Sequence, residues 1–218
     1  MDSFLVIGAG RFGSSVAIEL YKMKHEVLAI DKNEERITDI VDKVTNAIIG
    51  DVRDEAVLRS LGVQNFDCVI VAIASALESS ILTTMMLKEM AAKFIVCKAQ
   101  NERHANILYR IGADKVIRPE LDMGKRVAFS LVHKNVIDFL EVSPEHSVME
   151  IATPKQWIGK SILKNDLRRK YGITIIAIQN KSTGKVNFSP DAEAVLYEDD
   201  IVTIIGKKKS LEAARILE

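Results

Sequence analysis

The sequence predicts an α/β protein, a doubly wound parallel sheet followed by a small α+β domain. Three observations predict it. Over the first 118 residues, short β-rich apolar runs alternate with longer segments whose apolar residues recur every three or four positions. The first run ends in three glycines spaced Gly8-x-Gly10-x-x-Gly13. Beyond Asn135 the pattern changes to short strands separated by turn residues.

In chain order, the first strands are predicted over Phe4–Gly8, Glu26–Ile30, Asn46–Ile49, Cys68–Ala72, Phe94–Cys97 and Lys115–Ile117. They are apolar without strict alternation and each is followed by a helical pattern, which implies a parallel sheet covered on both faces. Val16, Leu20 and Met23 mark the inward stripe of the first helix, a second helix runs from Asn33 to Lys43, and a last one from Asp122 to Val132. No strand completes a further βαβ unit after it, so Val136–Val142 reads as a strand linking the two domains. The remainder predicts strands at Met149–Ala152, Thr174–Gln179, Val186–Phe188 and Ile201–Gly206, with helices from Leu163 to Lys170 and from Leu211 to the end. Ser182-Thr183-Gly184 and Glu198-Asp199-Asp200 supply the turns. The resulting division is 1–135, with a crossover helix over 122–133, then a linker at 136–142 and a second domain over 143–218.

Composition narrows the function classes. The chain has 218 residues, 48% hydrophobic, with 30 basic and 30 acidic side chains, so no global field recruits nucleic acid or an anionic membrane. The longest apolar run, residues 68–77, contains Ser75 and ends at Glu78, short of the roughly 20 residues a spanning helix needs. Asp2 leads directly into a strand, without the basic and apolar series of a signal peptide, so the N-terminus reads as structural. Cys68 and Cys97 sit in apolar strands with no CxxC or Cys/His neighbourhood and read as small core residues.

The glycines point to an anion. In a strand-to-helix turn, Gly8 permits the tight bend, Gly10 lets backbone amides approach a pyrophosphate, and Gly13 lets the helix pack on the sheet. Asp31 closes the second strand 18 residues after Gly13, where a carboxylate accepts hydrogen bonds from ribose hydroxyls and repels a 2′-phosphate. Its other reading is as the cap of the helix that follows. Arg11 has two readings of equal standing, a fork for a distal phosphate and an exposed arginine at a helix start. No catalytic partner accompanies this site. The residues after Asn135 contain a single histidine, His146, in a Pro-Glu-His-Ser turn, and His25, His104 and His133 read as solvated or capping. GxSxG and HExxH are both absent from the sequence. Binding without turnover is the reading, and the chain is expected not to be an enzyme.

GAGRFG, AIDKNEER, GDVRDE, CVIVAIA, ILTTMMLKE, VCKAQN and IGADKVIRPELDMGKRVA together resemble the N-terminal RCK (regulator of potassium conductance) domain of bacterial Ktr/Trk potassium-uptake systems. IGKSILKNDLRRKYGITIIAI and YEDDIVTIIG are similar to the companion RCK_C, or TrkA-C, domain. The resemblance implies a Rossmann-like nucleotide domain in a KtrA/TrkA-type cytosolic gating subunit. Such subunits pair as dimers, assemble as an octameric ring and dock under a membrane K+ translocating subunit of the KtrB/TrkH type, on the inner face of the cell membrane.

By position, the resemblance puts the phosphates of ATP or ADP against Gly8, Gly10 and Gly13, with Asp31 on the ribose, Asp51 and Val52 beside the adenine, and Phe12 and Lys32 among the binding residues. Ala72 and Ile73 would line the cleft, Lys98 would lie near the phosphates, and Arg11 would meet a terminal phosphate, one bound in the adjacent protomer. Glu120 matches an acidic position that holds a divalent cation, Mg2+ or Ca2+, between subunits; on its own chemistry it reads as a helix-start carboxylate. Ile162, Leu163, Asp166, Arg168, Ile176 and Pro190 match a cyclic di-AMP site in the second domain. The bland alternative there is core isoleucines and an Asp166–Arg168 surface pair. NAD(H) binding by a TrkA-type regulator, a small NAD-dependent dehydrogenase, and a regulator of a different transporter are the rival readings.

Overall fold

The computed structural model describes residues 1–73 and 76–213, so Ser75 and the end of the expected C-terminal helix lie outside the described residues. The chain divides into two compact units, Met1–Leu121 and Asp122–Glu218.

In the first unit, β1 (Ser3–Ile7), β2 (Glu26–Asp31), β3 (Asn46–Ile49), β4 (Cys68–Val71), β5 (Ile95–Lys98) and β6 (Lys115–Ile117) form one sheet in the order β3-β2-β1-β4-β5-β6. Every neighbouring pair is parallel. Strand order reverses between β1 and β4, which opens a crevice at the carboxyl ends of these strands. Helices α1 (Arg11–Lys22), α2 (Glu34–Thr38), α3 (Glu55–Leu61), α4 (Leu77–Glu89) and α5 (Glu102–Arg110) connect the strands. Side chains alternate across each strand, so β1 serves two cores at once. Leu5 and Ile7 pack with Leu58, Leu87 and Leu108, whereas Val6 packs with Ala17 and Ile37 on the other face. In the central strands β1, β2, β4 and β5, burial on both faces explains the continuous apolar runs, whereas the edge strand β3 leaves Ile48 and Ile49 exposed.

Two helices differ from expectation. The inward face of α1 is Gly13 and Ala17, while Met23 lies past its end and is 65% exposed. The run from Asn33 to Lys43 is not one helix: α2 stops at Thr38 and a 3₁₀ turn covers Val41–Lys43. Ile37 and Ile40 are both buried, which the break permits.

Helix α6 (Pro119–Val132) leads into the second unit. There β7 (Val136–Glu141), β8 (His146–Ala152), β9 (Thr174–Asn180), β10 (Val186–Phe188) and β11 (Asp200–Lys207) form an antiparallel sheet ordered β10-β9-β11-β8-β7. Residues 136–142, expected as a linker, mostly form the edge strand β7. The Phe129 ring stacks on Phe139 at 4.4 Å, and Arg126 Nη2 donates to Asp138 Oδ2 at 2.6 Å, so the later turns of α6 are tied to β7. His146 opens β8 after a tight turn closed on Ser143. The helix expected over 163–170 is two short ones, α7 (Ile162–Asn165) and α8 (Leu167–Tyr171), parted at Asp166 with φ +52°. Short-chain acidic residues tolerate this left-handed conformation better than most, so the break falls there. Helix α9 (Lys208–Ala213) begins before Leu211. Trp157, Leu167, Leu196, Val202 and Ile204 anchor the second core.

Candidate functional site

A cavity of about 400 Å³ lies at the carboxyl ends of the parallel strands. Gly8, Gly10, Arg11 and Phe12 enter it after β1, and Asp31, Lys32 and Arg36 after β2. Gly50, Asp51, Val52 and Arg53 follow β3, and Ala72, Ile73 and Ser79 follow β4. Lys98 ends β5 and Glu120 follows β6.

Each glycine has its own cause. Gly8 has φ +99°, and a Cβ there would come within 3.2 Å of Ala72 backbone. Only glycine meets both conditions without strain. A Cβ on Gly13 would sit 1.8 Å from Gly8 O, so α1 rests directly on the turn; this is why Gly13 belongs to the motif although it does not line the cavity. Gly10 differs, because a Cβ there would meet nothing within 4 Å. Protein packing does not demand a glycine at that point, which fits a cradle kept open for a ligand. Gly10 caps α1 with no side-chain hydrogen bond, and the first turn carries no acidic residue, so its N–H groups and the helix dipole favour an anion.

Asp31 is buried and anchored. Its Oδ2 accepts from Ala9 N at 2.8 Å and from Arg36 Nη1 at 3.3 Å, and its Oδ1 accepts from Asn33 N at 2.9 Å. The cap of α2 is Asn33, whose side chain accepts from Arg36 N, rather than Asp31. Asp31 therefore ties the glycine turn to the end of β2.

On the opposite wall, the Lys98 side chain is 9% exposed, and its Nζ donates to Glu120 Oε1 at 2.5 Å and lies 5.6 Å from the Phe12 ring centroid. That bond holds the Glu120 carboxyl below its ordinary range, and Arg11 adds to the effect. At the rim the Arg53 guanidinium clasps Asp51 through both carboxylate oxygens and lowers its pKa to about 2. Five cations (Arg11, Lys32, Arg36, Arg53 and Lys98) and three carboxylates (Asp31, Asp51 and Glu120) surround the cavity, an excess suited to a polyanion.

Sequence reasoning missed Arg36, Arg53 and Ser79. Each sits a few residues past a parallel strand's carboxyl end, and that position is the signal that finds them. His104 is buried rather than solvated: its Nδ1 accepts from Gln100 N at 3.3 Å, a capping role, and burial lowers its pKa. Cys97 is buried beside Thr84 Oγ1 at 3.3 Å, and burial pushes both Cys68 and Cys97 up to about 11.

In the second unit the six expected residues have unlike settings. Ile162 packs on the core and Pro190 is half-buried, while Leu163, Arg168 and Ile176 are exposed. Ile176 faces outward between buried Ile175 and Ala177, as strand alternation dictates, and the pairing of β9 with β11 skips it at a bulge. Asp166 pairs with Arg169 at 2.6 Å, not with Arg168, because the left-handed turn aims it along α8.

The TrkA-N domain model matches residues 4–119 and the TrkA-C domain model residues 147–217. The chain is 45% identical over 203 residues to the Ktr system potassium uptake protein C of Bacillus subtilis, covering 93% of this chain and 91% of that one. It belongs to the TrkA-N/TrkA-C family of Ktr potassium-uptake subunits. To Ktr system potassium uptake protein A of the same organism it is 44% identical over 209 residues, covering 96% and 93%. A solved structure, the GsuK channel bound to NAD, superimposes with a TM-score of 0.70 at 18% identity, covering 99% of this chain and 39% of the channel chain. That likeness is one of fold. Among the described residues no helix is long and apolar enough to cross a membrane.

Proposed function

We propose that this Ktr subunit is a nucleotide-operated gating regulator that does no chemistry. It sits at the inner face of the cell membrane and binds ATP and ADP at the glycine turn to control a K+ translocating partner of the KtrB/TrkH type. The observation that carries this reading is the open space at Gly10, set before an uncapped helix start and within reach of a cavity with excess positive charge. Gly8, Gly10, Phe12, Lys98 and the α1 amides would take the phosphates, Asp31 and Lys32 the ribose, and Val52, Ala72 and Ile73 the base. Arg11 would meet the last phosphate, which ADP lacks.

Among the described residues no group of three or more His, Cys, Asp or Glu forms a metal set. A Mg2+ or Ca2+ ion at Glu120 would draw its remaining oxygens from phosphate or from a second copy of the chain. In the second unit, exposed Leu163 and Ile176 with Arg168 offer apolar walls and a cation, and two copies facing each other would complete a cyclic di-AMP site.

The ligand acts only by binding two assembly geometries unequally, with a coupling of about 1–3 kcal/mol per site. Calorimetric titration of the purified chain with ATP, ADP and NADH tests the reading. ATP and ADP are expected to bind, with Arg11→Ala bringing their affinities together. Preference for NADH would favour the NAD(H)-binding regulator instead, and an unchanged ATP/ADP ratio in Arg11→Ala would remove Arg11 as discriminator.

A further inference from the structure

Lys98 is more than nine-tenths buried and points into the cavity, a setting in which an ammonium needs a counter-charge. Its counter-charge is Glu120, whose own side chain is 72% exposed and therefore free to swing into solvent. Arg11, the other cation on that side, lowers the Glu120 pKa as well, so the carboxylate lies in the field of two positive groups. A carboxylate and a phosphoryl group offer Lys98 the same thing, an anionic oxygen at hydrogen-bond distance.

We propose that Glu120 is a resident anion that competes with ligand phosphate for Lys98 and so selects for ligands carrying enough phosphate to displace it. This rests on the polyphosphate reading above and adds a second role for Glu120, opposite in sign to that of a cation ligand. Where a metal bridges Glu120 to phosphate, removing the carboxylate weakens binding. Where Glu120 must be displaced, removing it strengthens binding.

The test is calorimetry on the full chain in metal-free buffer with EDTA, using ADP and adenosine as probes. Glu120→Gln is expected to bind ADP about fivefold more tightly than the parent, the scale of one partly screened ion pair, while adenosine affinity stays unchanged. Glu120→Asp, one methylene shorter, should give a gain in the same direction. In a Lys98→Met background the gain should disappear, because the competition has lost its object. Equal or weaker ADP binding by Glu120→Gln overturns the inference and leaves the nucleotide reading standing. So does a gain that survives in Lys98→Met, which would make it a general field effect. Failure of the parent and of Glu120→Gln to bind ADP at all overturns both.

Discussion

Gly10 and Gly13 lie three residues apart in one turn, yet the structure gives them different reasons to lack a side chain, and the difference can be measured. Gly13→Ala would force a methyl onto Gly8 O, so the turn and α1 must separate, at a cost of about 3 kcal/mol. Gly10→Ala meets no protein atom, and its φ of −71° suits alanine. Losing glycine at a helix cap costs about 1 kcal/mol at most, but the methyl enters the anion cradle and should weaken ADP at least about tenfold. Urea denaturation and calorimetry on the two variants separate the effects, and a Gly10→Ala chain that binds ADP as the parent does would break the assignment. These glycines and Asp31 were legible in the sequence because turn stereochemistry fixes their spacing. Arg36 and Arg53 were not, since an arginine past a strand end reads as an ordinary solvated side chain until the sheet brings it to a shared edge. The Asp166–Arg169 pair escaped for a related reason: only the left-handed break decides which arginine the carboxylate faces.

At the level of elements, strands were more legible than helices. A strand buried on both faces announces itself by apolar continuity, as β1 and β4 do, whereas the end of a short helix depends on what it packs against. β7 read as a linker because the sequence pattern starts β8 only at Met149, which hides the hairpin that the turn at Ser143 makes of the two strands. Burial in the same sheet governs the thiols on β4 and β5, in part for Cys68 and fully for Cys97. Desolvation raises Cys68 and Cys97 from 9.0 to about 11, so the folded state keeps both protons where the unfolded chain releases them. The stability this contributes is fully present below about pH 9 and is lost as pH rises toward 11. Thermal melts should therefore fall across that window, and a Cys68→Ala, Cys97→Ala double variant should show a shallower fall. At pH 8 a thiol reagent should modify Cys97 only as the chain unfolds. Rapid labelling of Cys97 in the folded protein would contradict its burial.

For the molecule as a whole, α6 poses the remaining question. None of its residues is buried, although Phe129 packs on the second core and Arg126 is held by Asp138. Met123, Val127 and Leu131, at i, i+4 and i+8, form an apolar stripe with exposures of 53, 48 and 77%. The edge strand β7 adds exposed Ile137 and Leu140. An apolar stripe of this kind fits an interaction surface, and on the gating reading proposed above its occupant is a second copy of the chain. Nucleotide can shift an assembly between two geometries only if an assembly exists, so the proposed gating requires that this stripe, or another surface, hold copies together. Sedimentation of the parent chain should show a dimer or larger species, and Leu131→Asp, a change at an exposed site, should dissociate it while leaving the circular dichroism unchanged. ADP should still bind the dissociated variant, because every cavity-lining residue lies within the first unit of a single chain. The difference between ATP and ADP should narrow in it if Arg11 reads a phosphate held by the neighbouring copy. A parent chain that sediments as a monomer at micromolar concentration would remove the physical basis for gating by this subunit.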